Sequence, residues 1–165
     1  MKIDRATRYE DFAIFEPMLA DGEAERLEKV AVADRYGEDG FYSMTLGDMF
    51  SVLSGDTKPL TWGVAPDSVF AVYRVKAFTK FIETFIGRLK SLTLQPTPEQ
   101  VKNAHGCLPC QFDESVYVFC RNHFGLHGFA DVERLKVADL LIAKKEAFNA
   151  AVVERNIANS LKARK

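Results

Sequence analysis

The chain has 165 residues, 47% of them apolar and 27% charged, and its 22 basic and 23 acidic side chains leave a formal net charge of −1. That length suits one hydrophobic core and a single domain over 1–165, and the near-neutral balance provides no global field to attract nucleic acid or an anionic membrane. No apolar run reaches the roughly 18 residues of a membrane span, the Met1-Lys2-Ile3-Asp4-Arg5 start lacks a signal-peptide core, and three cysteines cannot all pair; a cytoplasmic, unsecreted protein is expected.

Thr7-Arg8-Tyr9-Glu10 has capping-box form and predicts a helix start, with Phe12, Phe15 and Leu19 on one face. Pro17 removes a hydrogen bond from that run and predicts a break near Glu16. Gly22 separates a second helix over 23–36, with Leu27, Val30 and Ala31 inward and Gly37 as its stop. Glu38-Asp39-Gly40 reads as a turn. Thr45-Leu46-Gly47-Asp48 then caps a short helix carrying Met49, Phe50 and Leu53, closed by Gly55. The stretch 56–66, with Pro59, Gly63 and Pro66, reads as an ordered connection in which Trp62 is a packing anchor; a partner-binding hot spot is its functional alternative.

Over 67–92 the apolar residues Val69, Phe70, Tyr73, Ala77, Phe78, Phe81, Ile82, Phe85, Ile86 and Leu89 recur at helical spacing. Asp67 or Ser68 is the expected cap of a helix about 40 Å long. Its apolar band is wider than a coiled-coil seam, so it must be covered on more than one side. Thr97-Pro98-Glu99-Gln100 carries a cap, a first-turn proline and an early acid, and starts a short helix that His105-Gly106 ends. Asp113 or Ser115 opens the next, with Val116, Phe119, Cys120, His123 and Phe124 on one face and Gly125 as terminator. A short helical turn at Phe129 precedes a long helix from about Val137. Leu140, Leu141, Phe148, Ala151, Val152 and Ile157 form its apolar face, and fraying is expected over 160–165.

No strand pattern, repeat or sustained heptad array is visible. The fold expected is all-α: an irregular single-domain bundle of about five to seven helices around the 67–92 helix, with the C-terminal helix packed against it.

Cys107-Leu108-Pro109-Cys110 and Cys120-Arg121-Asn122-His123 together supply a zinc ligand set, Cys107, Cys110, Cys120 and His123, with His105 and His127 as spares. The competing reading places Cys120 and His123 on a packed helix face, where cysteine behaves as a small hydrophobe. The gap between the pairs is also short for a zinc module, so the core reading is preferred: no metal, no cofactor. A thioredoxin-like reading of Cys107 and Cys110 lacks its strand. A cysteine nucleophile with His105 or His123 as base lacks an oxyanion loop and an orienting acid. No phosphate loop, dinucleotide turn or HExxH helix occurs. The basic group Arg155, Lys162, Arg164 and Lys165 reads as a solvated helix end. A non-enzymatic protein is expected.

Thr45-Leu46-Gly47-Asp48-Met49-Phe50, Glu114-Ser115 leading to Arg121-Asn122-His123-Phe124-Gly125-Leu126, and Leu141-Ile142-Ala143-Lys144-Lys145 before Phe148-Asn149 carry a resemblance over the C-terminal half. On these the chain resembles small helical accessory proteins of tailed-phage structural cassettes, of the tail-assembly-chaperone or head-to-tail connector type. The resemblance implies a cofactor-free structural protein of virion assembly, in the host cytoplasm or the virion, acting by self-association or on a protein partner. It assigns no residue a role.

Overall fold

The computed structural model describes residues 3–163 and is 70% helical, with nine α-helices, two 3-10 turns and no strand among those residues. The helices are α1 (Tyr9–Ala13), α2 (Glu23–Tyr36), α3 (Leu46–Leu53), α4 (Lys58–Thr61), α5 (Val69–Ser91), α6 (Pro98–Asn103), α7 (Phe112–Phe124), α8 (Phe129–Arg134) and α9 (Val137–Lys162). The fold is all-α around the long α5 and α9. The count exceeds the expected range because the short turn expected at Phe129 is a helix of its own, α8, and because the proline-bearing connection at 56–66 itself winds one turn, α4, with Pro59 in its first turn where no N–H is needed.

Extended cap residues start all the helices but α2 and α4, and two pairs of caps bind one another. Ser68 Oγ accepts from Ala71 N–H at 3.2 Å and Thr45 Oγ1 from Asp48 N–H at 3.1 Å. Because a cap residue is extended, its neighbours still have free backbone groups. Tyr9 N–H donates to Asp67 O and Val69 N–H to Thr7 O, both at 2.8 Å, which clasps the start of α1 to that of α5. Leu46 N–H to Leu135 O (2.8 Å) and Val137 N–H to Met44 O (2.9 Å) join the starts of α3 and α9 in the same way.

Two caps differ from expectation, and a third decides between the two expected alternatives. Thr7 Oγ1 is held by Asp4, so α1 begins at Tyr9 without a side-chain cap. Ser68, not Asp67, caps α5. α7 opens at Phe112, ahead of Asp113 and Ser115, with the Glu114 carboxylate accepting from Gln111 N–H at 2.9 Å. The break at Pro17 is present as a 3-10 turn over Glu16–Met18. Gly37, with φ of 75°, supplies the backbone that stops α2.

The α5 helix runs through two apolar clusters. Its first turns join Phe12 and Ala31 through Val69, Phe70 and Tyr73. Its later turns, Phe78, Ile82, Phe85 and Leu89, enter the larger cluster with Met44, Met49, Val116, Cys120 and Leu140. The principal backbone neighbour of α5 is α2; α9 lies closest to the 3-10 turn Gly40–Ser43 and to α7, and shares the larger side-chain core with α5. Several residues expected inside are outside. Val30, Leu53 and Ile157 are exposed, because α2 is covered along one narrow strip and the distal half of α9 extends past the core.

Close packing also assigns one glycine. A Cβ on Gly47 in α3 meets Glu133 Cβ of α8 at 3.0 Å and Glu133 O at 3.3 Å, whereas one on Gly87 in α5 meets nothing within 4 Å. Gly87→Ala is expected to raise unfolding free energy by roughly 0.5–1 kcal/mol through helix propensity. Gly47→Ala should show none of that gain, because α8 must shift. Urea titration of both variants checks this, and an equal gain at both positions contradicts the close α3–α8 approach.

Candidate functional site

The four residues of the zinc reading are not brought together. Cys107 and Cys110 are exposed on the connection after α6, within a stretch, 95–111, that buries no residue. Cys120 is 0% exposed in the large cluster, and burial pushes its thiol up to about 11, so it stays protonated and poorly nucleophilic at neutral pH. His123 points elsewhere: its ring stacks on Phe119 at 5.3 Å and its Nε2 lies 3.4 Å from Glu146 Oε2 of α9. Among the described residues no group of three or more His, Cys, Asp or Glu side chains is placed to hold a metal ion. On the same face Lys144 Nζ sits 3.9 Å from the Phe119 ring centroid, a cation–π contact, and burial lowers its pKa.

The expected anchor role of Trp62 is also corrected. Its side chain is 69% exposed, with Arg35 6.0 Å over the ring, and the residue is fixed by its backbone carbonyl. The basic group divides as well. Arg155 Nη2 donates to Gln95 O at 2.9 Å, Lys162 is exposed, and Arg164 and Lys165 lie outside the described residues.

The best-defined polar constellation is one that periodicity passes over. Arg74 falls in the four-residue series Phe70, Arg74, Phe78, Ile82, and is 1% exposed. Its Nε donates to Ala31 O at 2.7 Å, Nη1 to Leu60 O at 3.0 Å and Trp62 O at 3.2 Å, and Nη2 to Asp34 Oδ2 at 2.6 Å. The other Asp34 oxygen accepts from Nε and Nη2 of Arg5 at 2.9 and 2.7 Å. Burial pulls the Arg74 guanidinium below its ordinary value, opposed by Asp34. Arginine still remains charged, because its ordinary value is so high. The cluster joins α2, α4 and α5. A cation at a core-facing register position was its signal in the sequence.

A second cluster joins the 3-10 turn at Glu16 to α5. The Glu16 carboxylate accepts from Tyr9 OH at 2.5 Å, and from Tyr73 OH and Lys76 Nζ at 2.7 Å each. These bonds, that of Lys76 first, hold its pKa at about 2. Burial, and then the bond to Glu16, raises that of Tyr73. Every polar group in both clusters is engaged with its neighbours, so the chemistry they perform is to fix elements in place.

What is open is apolar surface. An open groove of about 1100 Å³ lies between α2 and α5, with Val32, Phe41 and Phe81 among its lining. A smaller one, about 610 Å³, is lined by Phe12, Phe15, Leu27 and Val30. The distal half of α9 exposes Val153, Ile157 and Leu161. No helix among the described residues is long and apolar enough to cross a membrane. No protein-family profile, curated protein or solved structure matches the chain.

Arg74→Lys keeps the charge but loses the planar fork, and is expected to destabilise by about 2 kcal/mol or more, since buried carbonyls lose donors. Arg5→Ala removes a partner of Asp34 whose side chain is 62% exposed, and should cost about 1 kcal/mol or less. Equal losses in denaturant titrations contradict the burial argument.

Because the Glu16 carboxyl is depressed to about 2 from 4.5, its contribution is fully present above pH 4.5 and is lost as pH falls toward 2. The stability gap between wild type and Glu16→Gln should therefore narrow through that window. A gap independent of pH contradicts the Glu16 assignment.

Proposed function

We propose that this is a non-enzymatic structural protein that works by binding copies of itself or another protein, with virion assembly, in head–tail connection or tail assembly, as the setting that its resemblance to phage accessory proteins implies. The observation that carries the reading is the distal half of α9. Val153, Ile157 and Leu161 are 56%, 57% and 58% exposed at four-residue spacing, forming an apolar stripe on a helix that extends past its own core. Contiguous apolar surface of this kind marks sites of protein contact. Trp62, exposed beside Arg35, adds a residue type over-represented in binding hot spots. The Arg74 and Glu16 clusters support the reading from the other side, because their donors and acceptors are used up in fixing helices.

Light scattering across a wide concentration range, together with pull-down from the native host, tests this reading. Self-association or a captured protein is expected, and either should be weakened by Ile157→Asp, an exposed change that leaves the fold intact. A protein that stays monomeric and captures no partner contradicts it.

A further inference from the structure

The α2–α5 groove and the α9 stripe complement one another in polarity and charge. Phe81 in the groove stacks on Phe85 at 5.5 Å, interplanar angle 14°, and meets Tyr42 edge-on at 5.3 Å, so the apolar floor is a preorganised surface. Its rim carries four acids and two lysines. Lys29 pairs with Glu25 at 2.8 Å and Lys80 with Glu28 at 2.6 Å, which leaves Glu38 and Asp39 without an ion-pair partner among the described residues. Both follow the C-terminal end of α2, where the helix dipole adds further negative potential.

The wall of the groove formed by α2 has 14 residues, about 21 Å at 1.5 Å per residue. The exposed stripe of α9, from Val153 to Lys162, is ten residues or about 15 Å and fits within that wall. Its large apolar residues recur at i, i+4 and i+8, the anchor spacing of a helix that lies in a groove. Lys162 closes the stripe with a positive charge, and the sequence continues with Arg164 and Lys165. Within one chain the stripe is out of reach of the groove: Arg155 is held to Gln95 O, beyond the far end of α5.

We propose that the α2–α5 groove of one copy receives the distal half of α9 from a second copy, with Val153, Ile157 and Leu161 on the apolar floor and Lys162 toward Glu38 and Asp39. This rests on the reading of the chain as an interaction protein and identifies its partner as itself. Donor and acceptor are different surfaces, so the contact is head-to-tail and builds rings or open chains. Half the surface of a helix about 10 Å across and 15 Å long is on the order of 240 Å², below the roughly 800 Å² per partner of a stable complex. Each link is therefore weak, and assembly depends on concentration and on salt.

Two variants at exposed positions separate the halves. V153D/I157D spoils the stripe and keeps the groove; A33K/T84K puts positive charge into the groove and keeps the stripe. Far-UV circular dichroism of both should match wild type. In sedimentation velocity, wild type should grow in mass with concentration and less so in added salt, and each variant alone should associate about tenfold more weakly or worse. Mixed in equal amounts, the two should form a heterodimer that grows no further, because one intact stripe meets one intact groove. A mixture that stays monomeric overturns the proposal. So does a groove variant that associates like wild type while the stripe variant does not, which indicates α9 pairing with α9. Wild type that is monomeric throughout yet binds a host protein through the stripe also overturns it, and leaves the broader reading of an interaction protein standing.

Discussion

A buried guanidinium is the constraint around which the rest of this molecule is arranged. Desolvating a cation costs several kcal/mol even after relaxation, and the cost is offset only when nearly every donor finds an acceptor. Arg74 meets that condition with three backbone carbonyls and one carboxylate. Those acceptors come from α2, from α4 and from the residue that follows α4, so satisfying one side chain fixes three segments at once. The site also lies where the two apolar clusters meet along α5, Tyr73 belonging to the smaller and Phe78 to the larger. Displacing α2 from α5 therefore strands a charge as well as exposing apolar area. The groove between these helices inherits that rigidity.

Much of the architecture was legible because local chemistry decided it. Ser68, Thr45 and Thr97 cap the helices they were expected to cap or to share in capping, each accepting from an N–H three residues on. Pro17 and Gly37 break the chain where their backbones require it. The failures have both local and tertiary causes. Thr7 had a cap to make, but Asp4 lies nearer and takes its hydroxyl. Val30 and Ile157 have the right spacing to be buried, yet no second element arrives to cover them. The four-residue winding of α4 is too short for any periodicity to register.

The site was less legible than the fold. Motif reading drew attention to Cys107, Cys110, Cys120 and His123, whose spacing is shared by metal sites and by ordinary helix faces. The core claims Cys120, the Phe119 ring and Glu146 claim His123, and the other two cysteines remain on an exposed connection. Periodicity, in turn, counts apolar residues and so skipped Arg74, although a lone cation amid Phe70, Phe78 and Ile82 was visible in the sequence. Surfaces are harder still. Whether Trp62 or Ile157 is covered depends on which elements arrive over it, and neither residue's neighbours in sequence carry that information.

If one buried ion pair fixes α2 against α5, then Arg74 and Asp34 must act as a unit. The direct test is a double-mutant cycle with Arg74→Met and Asp34→Ala, each variant unfolded in denaturant beside the double variant. Coupling of about 1.5–3 kcal/mol, with the double variant more stable than the sum of the singles requires, is the result this account predicts. Additivity within about 0.5 kcal/mol contradicts it, and leaves Arg74 as a side chain that happens to be buried rather than the one on which the arrangement depends.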